Sequence, residues 1–306
     1  MNAVARREES HRLRVQADAV AGALPPLLVS TRNIATSMTL GVHGRRRAGV
    51  GDTFWQFRQY GAGDTPQGID WRQSGKRDVV FVREREWIAA QTAALWCDTS
   101  ASMHYSSTAK LPPKSERAAV MTLALAELLV DGGERIIHLT GDGQGQRPGS
   151  GRTAVGQIAD IIAGEIVAKP TTHAAAFPKF SARLPRNATV VLISDFLAPI
   201  EDITASLTDL MHRGLVGHLV QVLDPAEETL PFTGRVRFIG LEREGATVID
   251  RTEDARSQYV AKLADHREQL KALSAKTGWS FHVHHTDRSP QMTMASLHNA
   301  ITGYRR

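Results

Sequence analysis

Carboxylate and hydroxyl side chains alternate in one short loop, which directly follows an apolar run that ends at Cys97. The loop has the sequence DTSAS and contains Asp98, Ser100 and Ser102; a second acid, Asp195, ends another apolar run. One or two carboxylates with several hydroxyls suit a hard cation such as Mg²⁺, which prefers six oxygen ligands and keeps several waters. Because few ligands are charged, the ion stays electrophilic and can attract a carboxylate from another molecule. The pattern therefore predicts a metal-dependent binding site.

A purely structural interpretation of the same residues stays open. Asp98 and Asp195 would cap the helices that follow them, and the serines would turn the loop. The spacing of the residues alone favours neither interpretation.

The elements that must position these residues form an α/β pattern, in which apolar strands alternate with amphipathic helices after Trp87. This alternation predicts a doubly wound, mostly parallel sheet with helices on both faces. The predicted strands are Ala93–Cys97, Arg135–Leu139, Thr189–Ile193, Val216–Val222 and Trp279–Val283. The main predicted helices are Ser115–Val130, Thr153–Val167, Ile200–His212 and Asp254–Ala275, and a hairpin is expected over Arg235–Asp250. Ligands bind such sheets beyond the carboxyl ends of the strands, which is where both acids lie.

The chain of 306 residues is long enough for one α/β domain with an additional module. We expect an N-terminal helix and linker over residues 1–40. Residues 41–88 alternate aromatic and β-branched side chains with charged ones between glycine turns, which predicts a small β-rich module. Residues 89–306 then form the α/β domain.

The net charge of +5 is concentrated near the N-terminus, since residues 1–90 hold 14 Lys and Arg against 9 Asp and Glu. The basic run at Arg45–Arg47 lacks interleaved aromatic residues, which favours a solvated or ion-paired surface over nucleic-acid binding. No apolar stretch near the start is long enough for a membrane anchor. The single cysteine, Cys97, lies in an apolar run and is expected to be a buried thiol, so a cytoplasmic location is predicted.

The Asp98 loop, followed by Met103, resembles the metal-ion-dependent adhesion site of von Willebrand factor A-like domains, whose pattern is Asp-x-Ser-x-Ser. Asp195 corresponds to the later aspartate of that site. The intervening threonine of the family falls on Thr171 or Thr172, and Thr171 is preferred. The resemblance implies that Mg²⁺, Mn²⁺ or Ca²⁺ is held, directly or through water, by Asp98, Ser100, Ser102, Thr171 and Asp195. An acidic side chain of a partner protein would complete the shell.

A longer resemblance runs from Gly41 onward and is to the bacterial family called domain of unknown function 58. It is carried by Gly44–Arg46, Gly49, Gly51, Phe54–Tyr60, Gly63–Asp64, Ile69–Arg72, Val82–Glu86, the Asp98 loop and Ser194–Phe196. The chain departs from the expected Ser-Ala-Arg step at Gly75 and Lys76. The resemblance implies a von Willebrand factor A-like core. It also implies an adaptor working with a MoxR-type AAA+ ATPase, because genes of such ATPases commonly neighbour those of the family.

Enzymatic interpretations of the same chain meet specific obstacles. A haloacid dehalogenase-type phosphatase needs an acid two residues after its aspartate, where this chain has Ser100. The segment Gly141–Gly145 lacks the Lys-Ser/Thr pair of a phosphate loop and is better explained as a hairpin turn. Ser107 and Lys110 imitate a penicillin-binding motif, but the Pro112-Pro113 pair keeps them from sharing a helical turn.

Two further alternatives remain beside the adaptor. The cluster of His282, His284 and His285 shows no third metal ligand at suitable spacing, so ordinary strand histidines are expected. A metal-dependent hydrolase would need a general base that the sequence does not identify. A structural protein with a degenerate metal site is the other alternative. The preferred prediction is a non-enzymatic binding protein.

Overall fold

A computed structural model describes residues 3–22, 24, 54–61, 69–76, 79–85, 91–168, 177–185, 188–241 and 245–303. The helices are α1 (Ala3–Ala21), α2 (Trp71–Ser74), α3 (Lys114–Asp131), α4 (Gly151–Ala168), α5 (Ile200–His212), α6 (Pro225–Thr229), α7 (Thr252–Thr277) and α8 (Pro290–Thr302). A short 3₁₀ helix spans Ala101–His104. The strands are β1 (Phe54–Gln59), β2 (Phe81–Arg85), β3 (Thr92–Cys97), β4 (Arg135–Leu139), β5 (Thr189–Ser194), β6 (Val216–Leu223), β7 (Val236–Ile239), β8 (Ala246–Ile249) and β9 (Ser280–His285).

The chain divides into two units. One, the α/β domain, comprises Met1–Val29 and Gln91–Arg306, and the other, the insert, comprises Ser30–Ala90. Among the described helices, none is both long and apolar enough to cross a membrane.

The α/β domain is built on a five-stranded parallel sheet with the order β4-β3-β5-β6-β9. These are the five strands that the apolar runs predict, and the predicted hairpin is present as β7 and β8. From β3 the chain first passes to β4 on one side and then to β5 on the other, so the strand order reverses between β3 and β5. Beyond the carboxyl ends of the strands at such a reversal, open α/β sheets bind their ligands.

Alternate residues of the strands point to opposite faces of the sheet, and both faces are buried. On one face Leu95, Cys97 and Ile193 pack in a cluster with residues of α1, α3, α4 and α8. On the other face Trp96 and Leu192 pack in a cluster with residues of α5 and α7. This is the doubly wound α/β fold predicted for a von Willebrand factor A-like domain.

Helix α1 belongs to the α/β domain, although residues 30–90 separate it from the rest in sequence. Its apolar stripe, with Leu13, Ala17 and Val20 at spacings of four and three, is buried against α3 and α4. The hydroxyl of Ser10 donates a 2.7 Å hydrogen bond to the carboxylate of Asp160 on α4. The helix that the sequence predicts near the N-terminus is therefore part of the core.

The insert contains an antiparallel pair of strands, β1 and β2, and the single-turn helix α2. Asp70 caps α2, because its carboxylate accepts a 2.9 Å hydrogen bond from the backbone N–H of Gln73. The hydroxyl of Ser74 accepts a 2.8 Å bond from the N–H of Phe81, which ties α2 to β2. The rings of Phe57 and Phe81 meet edge to face across the strands, with centroids 6.4 Å apart.

Candidate metal-binding site

Three neighbouring strands of the sheet end in an aspartate at the same edge. Asp98 follows β3, Asp195 follows β5 and Asp224 follows β6. The first two flank the reversal of strand order, and the N–H of Asp98 continues the ladder by donating to the carbonyl of Ile193 at 2.9 Å. All three side chains are buried or nearly so. The sheet thus brings together the two acids that the sequence singles out and adds a third.

The loop after β3 folds back on its first residue. The N–H of Ser100 donates to Oδ1 of Asp98 at 2.8 Å, and the hydroxyl of Ser194 donates to Oδ2 of the same carboxylate at 2.6 Å. The hydroxyls of Ser100 and Ser102 lie 3.2 Å apart. Adjacent ligands of an octahedral Mg²⁺ at about 2.0–2.1 Å are roughly 3.0 Å from each other. The two hydroxyls, which lie within hydrogen-bond distance of each other, are therefore spaced slightly wider than neighbouring ligands of such an ion.

Asp98 is an anion held in unfavourable surroundings. Burial, and then the charge of Asp195, raise the pKa of Asp98 to about 6, although the hydrogen bonds from Ser194 and Ser100 act in the opposite direction. Both of these donors are neutral, so neither balances the charge of the carboxylate. A cation at this position would relieve the repulsion, and the residues present fit a hard divalent ion.

Asp195, in contrast, is paired with a lysine. Nζ of Lys114, the first residue of α3, lies 2.9 Å from Oδ2 of Asp195 and 2.6 Å from Oε1 of Glu227 on α6. The side chain of Lys114 is 0% exposed. Burial alone would lower the pKa of Lys114, but the charges of Asp195 and Glu227 and their hydrogen bonds outweigh burial and raise it. For Glu227 burial dominates and raises the pKa, despite the opposing effect of Lys114.

The backbone after Asp195 is strained in a way that orients the carboxylate. Phe196 has φ of 51°, in the left-handed region that a residue with a side chain rarely adopts. Its N–H donates to the hydroxyl of Ser194 at 3.0 Å, its carbonyl accepts from Nε2 of His266 at 2.6 Å, and its ring is fully buried. The resulting turn lets the N–H of Leu197 donate to Oδ1 of Asp195 at 3.1 Å.

The family of the chain follows from comparison with known sequences. The profile described as "Protein of unknown function DUF58" matches residues 56–269. The chain belongs to the DUF58 family. No curated protein matches this DUF58 chain significantly.

Some solved structures are weakly similar to the DUF58 chain. One is the conserved hypothetical protein BatB from Bacteroides thetaiotaomicron, with 15% identity over 70% of this chain and 98% of the other, at a TM-score of 0.39. Another is an aerotolerance-related membrane protein from Bacteroides fragilis NCTC 9343 carrying multiple mutations to serines. It shows 16% identity over 70% of this chain and 100% of the other, at a TM-score of 0.37. The fold of the DUF58 chain is established by its own sheet.

Of the five residues predicted to hold a metal in this DUF58 chain, Asp98, Ser100, Ser102 and Asp195 lie at one edge of the sheet. Thr171, like Thr172, lies outside the described residues. Within the part of the chain that is described, no group of three or more His, Cys, Asp and Glu side chains is placed to hold a metal ion. A metal at the sheet edge would therefore depend on the hydroxyls of Ser100 and Ser102.

Sequence reasoning missed two charged residues of the site, Lys114 and Glu227. A lysine in the first turn of a helix opposes the helix dipole, and that position of Lys114 is a signal of a special role. Asp224 and Glu227 form a capping box, in which the carboxylate of Asp224 accepts from Ala226 N–H at 2.8 Å and Glu227 accepts from the N–H of Asp224 at 2.9 Å. Their spacing after an apolar strand was a readable signal for a third acid at this edge.

One more acid of the DUF58 chain contacts the Asp98 loop from the side of α4. Oε2 of Glu165 accepts a 3.1 Å hydrogen bond from the hydroxyl of Thr99. Burial raises the pKa of Glu165 to about 7, against the lowering effect of that hydrogen bond. The carboxyl group of Glu165 thus titrates near neutral pH beside the loop.

The other sequence motifs of the DUF58 chain have structural explanations. The ring nitrogens of His282 lie within hydrogen-bond distance of the hydroxyls of Ser280 and Ser296, at 2.9 and 3.1 Å, and His285 pairs with Glu228. The segment Gly141–Gly145 reverses the chain, as expected of a turn, with the N–H of Thr140 donating to the carbonyl of Gln144 at 2.8 Å. Cys97 is buried, and burial raises the pKa of its thiol, which makes it unreactive.

Proposed function

We propose that this chain is a protein-binding adaptor whose recognition centre is a divalent cation at the carboxyl edge of the sheet. The observation that carries the proposal is the pair of hydroxyls of Ser100 and Ser102, 3.2 Å apart, beside a buried Asp98 whose hydrogen-bond donors among the described residues are neutral. These groups lie where the strand order reverses, the place at which open α/β sheets bind ligands. The set matches the ligand preference of Mg²⁺ or Mn²⁺.

Asp98, Ser100 and Ser102 would hold the ion directly or through water, with Asp195 nearby and Thr171 as the predicted further ligand. When bound, the ion would supply an electrophilic position for an acidic side chain of the partner. The protein contributes the orientation of its oxygens, because Ser194 and the N–H of Ser100 fix both oxygens of the Asp98 carboxylate. The ion would thereby be presented in one defined orientation.

The class of partner comes from the resemblance described above, which implies a MoxR-type AAA+ ATPase. Such a partner would supply the ATP chemistry, and this chain would provide the metal-dependent contact. The proposed association is tested by mixing the purified chain with a purified MoxR-type AAA+ ATPase, in the presence of Mg²⁺ and nucleotide. Complex formation that is lost on chelation of Mg²⁺ would support the adaptor role, and absence of a complex would argue against this partner.

A metal-dependent hydrolase is the second candidate, and Glu165 is the observation that favours it. A carboxyl group with a pKa of about 7 next to the metal loop has the property that a general base needs. This candidate predicts turnover of generic phosphate esters that is abolished both by Asp98→Ala and by Glu165→Gln. Turnover of that kind would overturn the adaptor proposal.

The metal itself is tested by calorimetric titration of Mg²⁺ and Mn²⁺ into the full chain and into Asp98→Ala. Asp202→Ala is a matched control, since Asp202 is an exposed aspartate on α5. We expect saturable binding by the wild type and the control and none by Asp98→Ala, with the fold of each variant checked by circular dichroism. Equal binding by Asp98→Ala would show that any ion is held elsewhere.

A further inference from the structure

The lysine at the sheet edge is the least expected charge in the site. Lys114 is completely buried, and lysine is almost never fully buried unless it is paired. It also begins α3, where the helix dipole disfavours a positive charge. Its position is explained by the two carboxylates that contact it, from Asp195 at 2.9 Å and from Glu227 at 2.6 Å.

Lys114 divides the two acids of the proposed metal site into different roles. Both aspartates accept hydrogen bonds at both oxygens, but one donor to Asp195 is a cation: Oδ2 accepts from the ammonium group of Lys114, and Oδ1 accepts from the N–H of Leu197. Asp98 accepts hydrogen bonds from neutral groups alone among the contacts described above. Asp195 therefore shares the ammonium group of Lys114 with Glu227, whereas the described contacts of Asp98 include no cation, and its charge is available to an external one.

We infer that Lys114 is a built-in cation that keeps Asp195 from direct metal coordination and so holds the affinity of the site for a divalent ion low until a partner binds. This inference rests on the function proposed above. The affinity of oxygen-ligand sites for divalent ions is set in part by the number of charged ligands. A site in which the ammonium group of Lys114 occupies one of the two aspartates binds its ion weakly.

The consequence is that metal and partner bind cooperatively. An acidic side chain from the partner supplies the anionic ligand that Asp195 does not, so each of the two bound species strengthens the binding of the other. Lys114 thus makes an acidic partner a requirement for tight metal binding.

The test compares the wild type with the double variant Lys114→Gln/Glu227→Gln, which removes the lysine together with one of its two acids. Glu227→Gln alone is the matched control, because it leaves Lys114 on Asp195. Mg²⁺ is titrated calorimetrically into each full-length protein. We expect the double variant to bind Mg²⁺ at least about tenfold more tightly than the wild type. The control is expected to bind Mg²⁺ no more tightly than the wild type, and adding Asp195→Asn to the double variant should remove the gain.

The outcomes separate the inference from the proposed function. If the wild type binds Mg²⁺ and the double variant binds it no more tightly, the role inferred for Lys114 is wrong and the proposed metal site is still supported. Binding by the double variant alone supports the role of Lys114 and overturns metal binding by the isolated wild type. Absence of binding in both overturns both proposals.

A measurement on the wild type covers the case in which the double variant does not fold. Aspartate carboxyl groups are labelled with ¹³C, assigned with the Asp98→Ala and Asp195→Asn variants, and followed by NMR during addition of Mg²⁺. We expect the resonance of Asp98 to shift and that of Asp195 to shift much less. A shift of Asp195 equal to that of Asp98 would contradict the inference.

Discussion

Carboxyl groups lie close together at two places in the α/β domain. The repulsion between their charges is reduced by a different species at each place. At the sheet edge Asp195 is paired with the ammonium group of Lys114. Between α1 and α3, Glu127 hydrogen-bonds Asp18, and burial, followed by that bond and the charge of Asp18, raises the pKa of Glu127 to about 8. There the balancing species is a proton. At the sheet edge a fixed cation contacts the carboxylate of Asp195 directly, whereas between the helices the raised pKa of Glu127 favours a bound proton.

The second place, here called the helix-side acidic cluster, consists of Asp18, Glu127, Asp131 and Arg152. These residues line a cavity of about 290 Å³ between α1, α3 and α4. The charge of Arg152 lowers the pKa of Glu127, and that of Asp131 raises it. Because Arg152 is exposed and makes a smaller contribution than burial, the cluster depends on the proton for its charge balance.

The largest effect is expected from removing the fixed cation. Lys114→Met leaves the buried carboxylate of Asp195, with that of Glu227, without its partner, and breaking a buried pair in this way costs about 3–5 kcal/mol of stability. Urea unfolding at pH 7 measures the loss. Lys110→Met, which removes an exposed lysine, is the control and should change stability by no more than about 0.5 kcal/mol. If Lys114→Met lost less than about 1 kcal/mol of stability, Lys114 would not be what stabilises the carboxylates at the sheet edge.

A smaller effect is expected from the neutral donor on Asp98. Ser194→Ala removes the 2.6 Å bond to Oδ2 of Asp98 and the acceptor for the N–H of Phe196, at a cost of about 2–3 kcal/mol. Because the folded-state pKa of Asp98, about 6, already exceeds the ordinary value of 3.8, stability falls as pH rises between these values. The variant should raise that pKa further, so the decline should continue beyond pH 6.

Urea unfolding between pH 4 and 8 follows the change. Ser274→Ala is the matched control, since its buried hydroxyl bonds a carbonyl of its own helix. It should cost about 1 kcal/mol or less, independently of pH. Parallel pH profiles for the two variants would show that Ser194 does not act through Asp98.

The shared proton of the helix-side acidic cluster gives the third prediction. The folded-state pKa of Glu127, about 8, lies above its ordinary value of 4.5, so the folded protein loses stability as pH rises from about 4.5 to 8. Glu127→Gln imitates the protonated form and removes this loss. The variant should equal the wild type at pH 4.5 and exceed it at pH 9, by no more than about 1 kcal/mol because the group is partly exposed.

Thermal unfolding at the two pH values measures this difference. Glu116→Gln is the control, since Glu116 also lies on α3 but contacts Arg12 at 2.9 Å. Its substitution should give no gain at pH 9. If Glu127→Gln lowered stability at pH 9, the proton would not be what balances the cluster.

The smallest effect is expected at Arg152, whose charge opposes protonation of Glu127. Arg152→Gln should move the pKa of Glu127 upward and change stability by less than about 0.5 kcal/mol. A ¹³C NMR titration of the Glu127 carboxyl group detects the shift. Arg147→Gln, at another exposed arginine, should leave the titration unchanged. A downward shift in Arg152→Gln would contradict the assignment of charges in the cluster.

The sheet and the first acids of the site are predictable from sequence because they follow from local patterns. Strands such as Thr189–Ser194 have an apolar centre, Val190–Ile193, and Asp98 and Asp195 directly follow strands of this kind. In a parallel sheet, residues that directly follow neighbouring strands meet at one edge. The predicted convergence of Asp98, Ser100, Ser102 and Asp195 needs no further information.

The pairing of Lys114 is not predictable in this way. Lys114 and Asp195 are separated by 81 positions in the chain, and their contact depends on where the start of α3 lies above the sheet. The packing of α1 against the domain could not be predicted from the sequence either, for a related reason. Its buried stripe contains the small residue Ala17 among many charged neighbours, so its amphipathic character is weak in the sequence.

The position of α1 also has a consequence for the order in which the protein is made. Leu13, Ala17 and Val20 leave the ribosome well before the helices that cover them, which begin at Lys114 and Gly151. At roughly 5–20 residues per second, that apolar stripe waits on the order of ten seconds for its partners. During synthesis α1 is therefore a segment that other molecules in the cell can reach before its own domain encloses it.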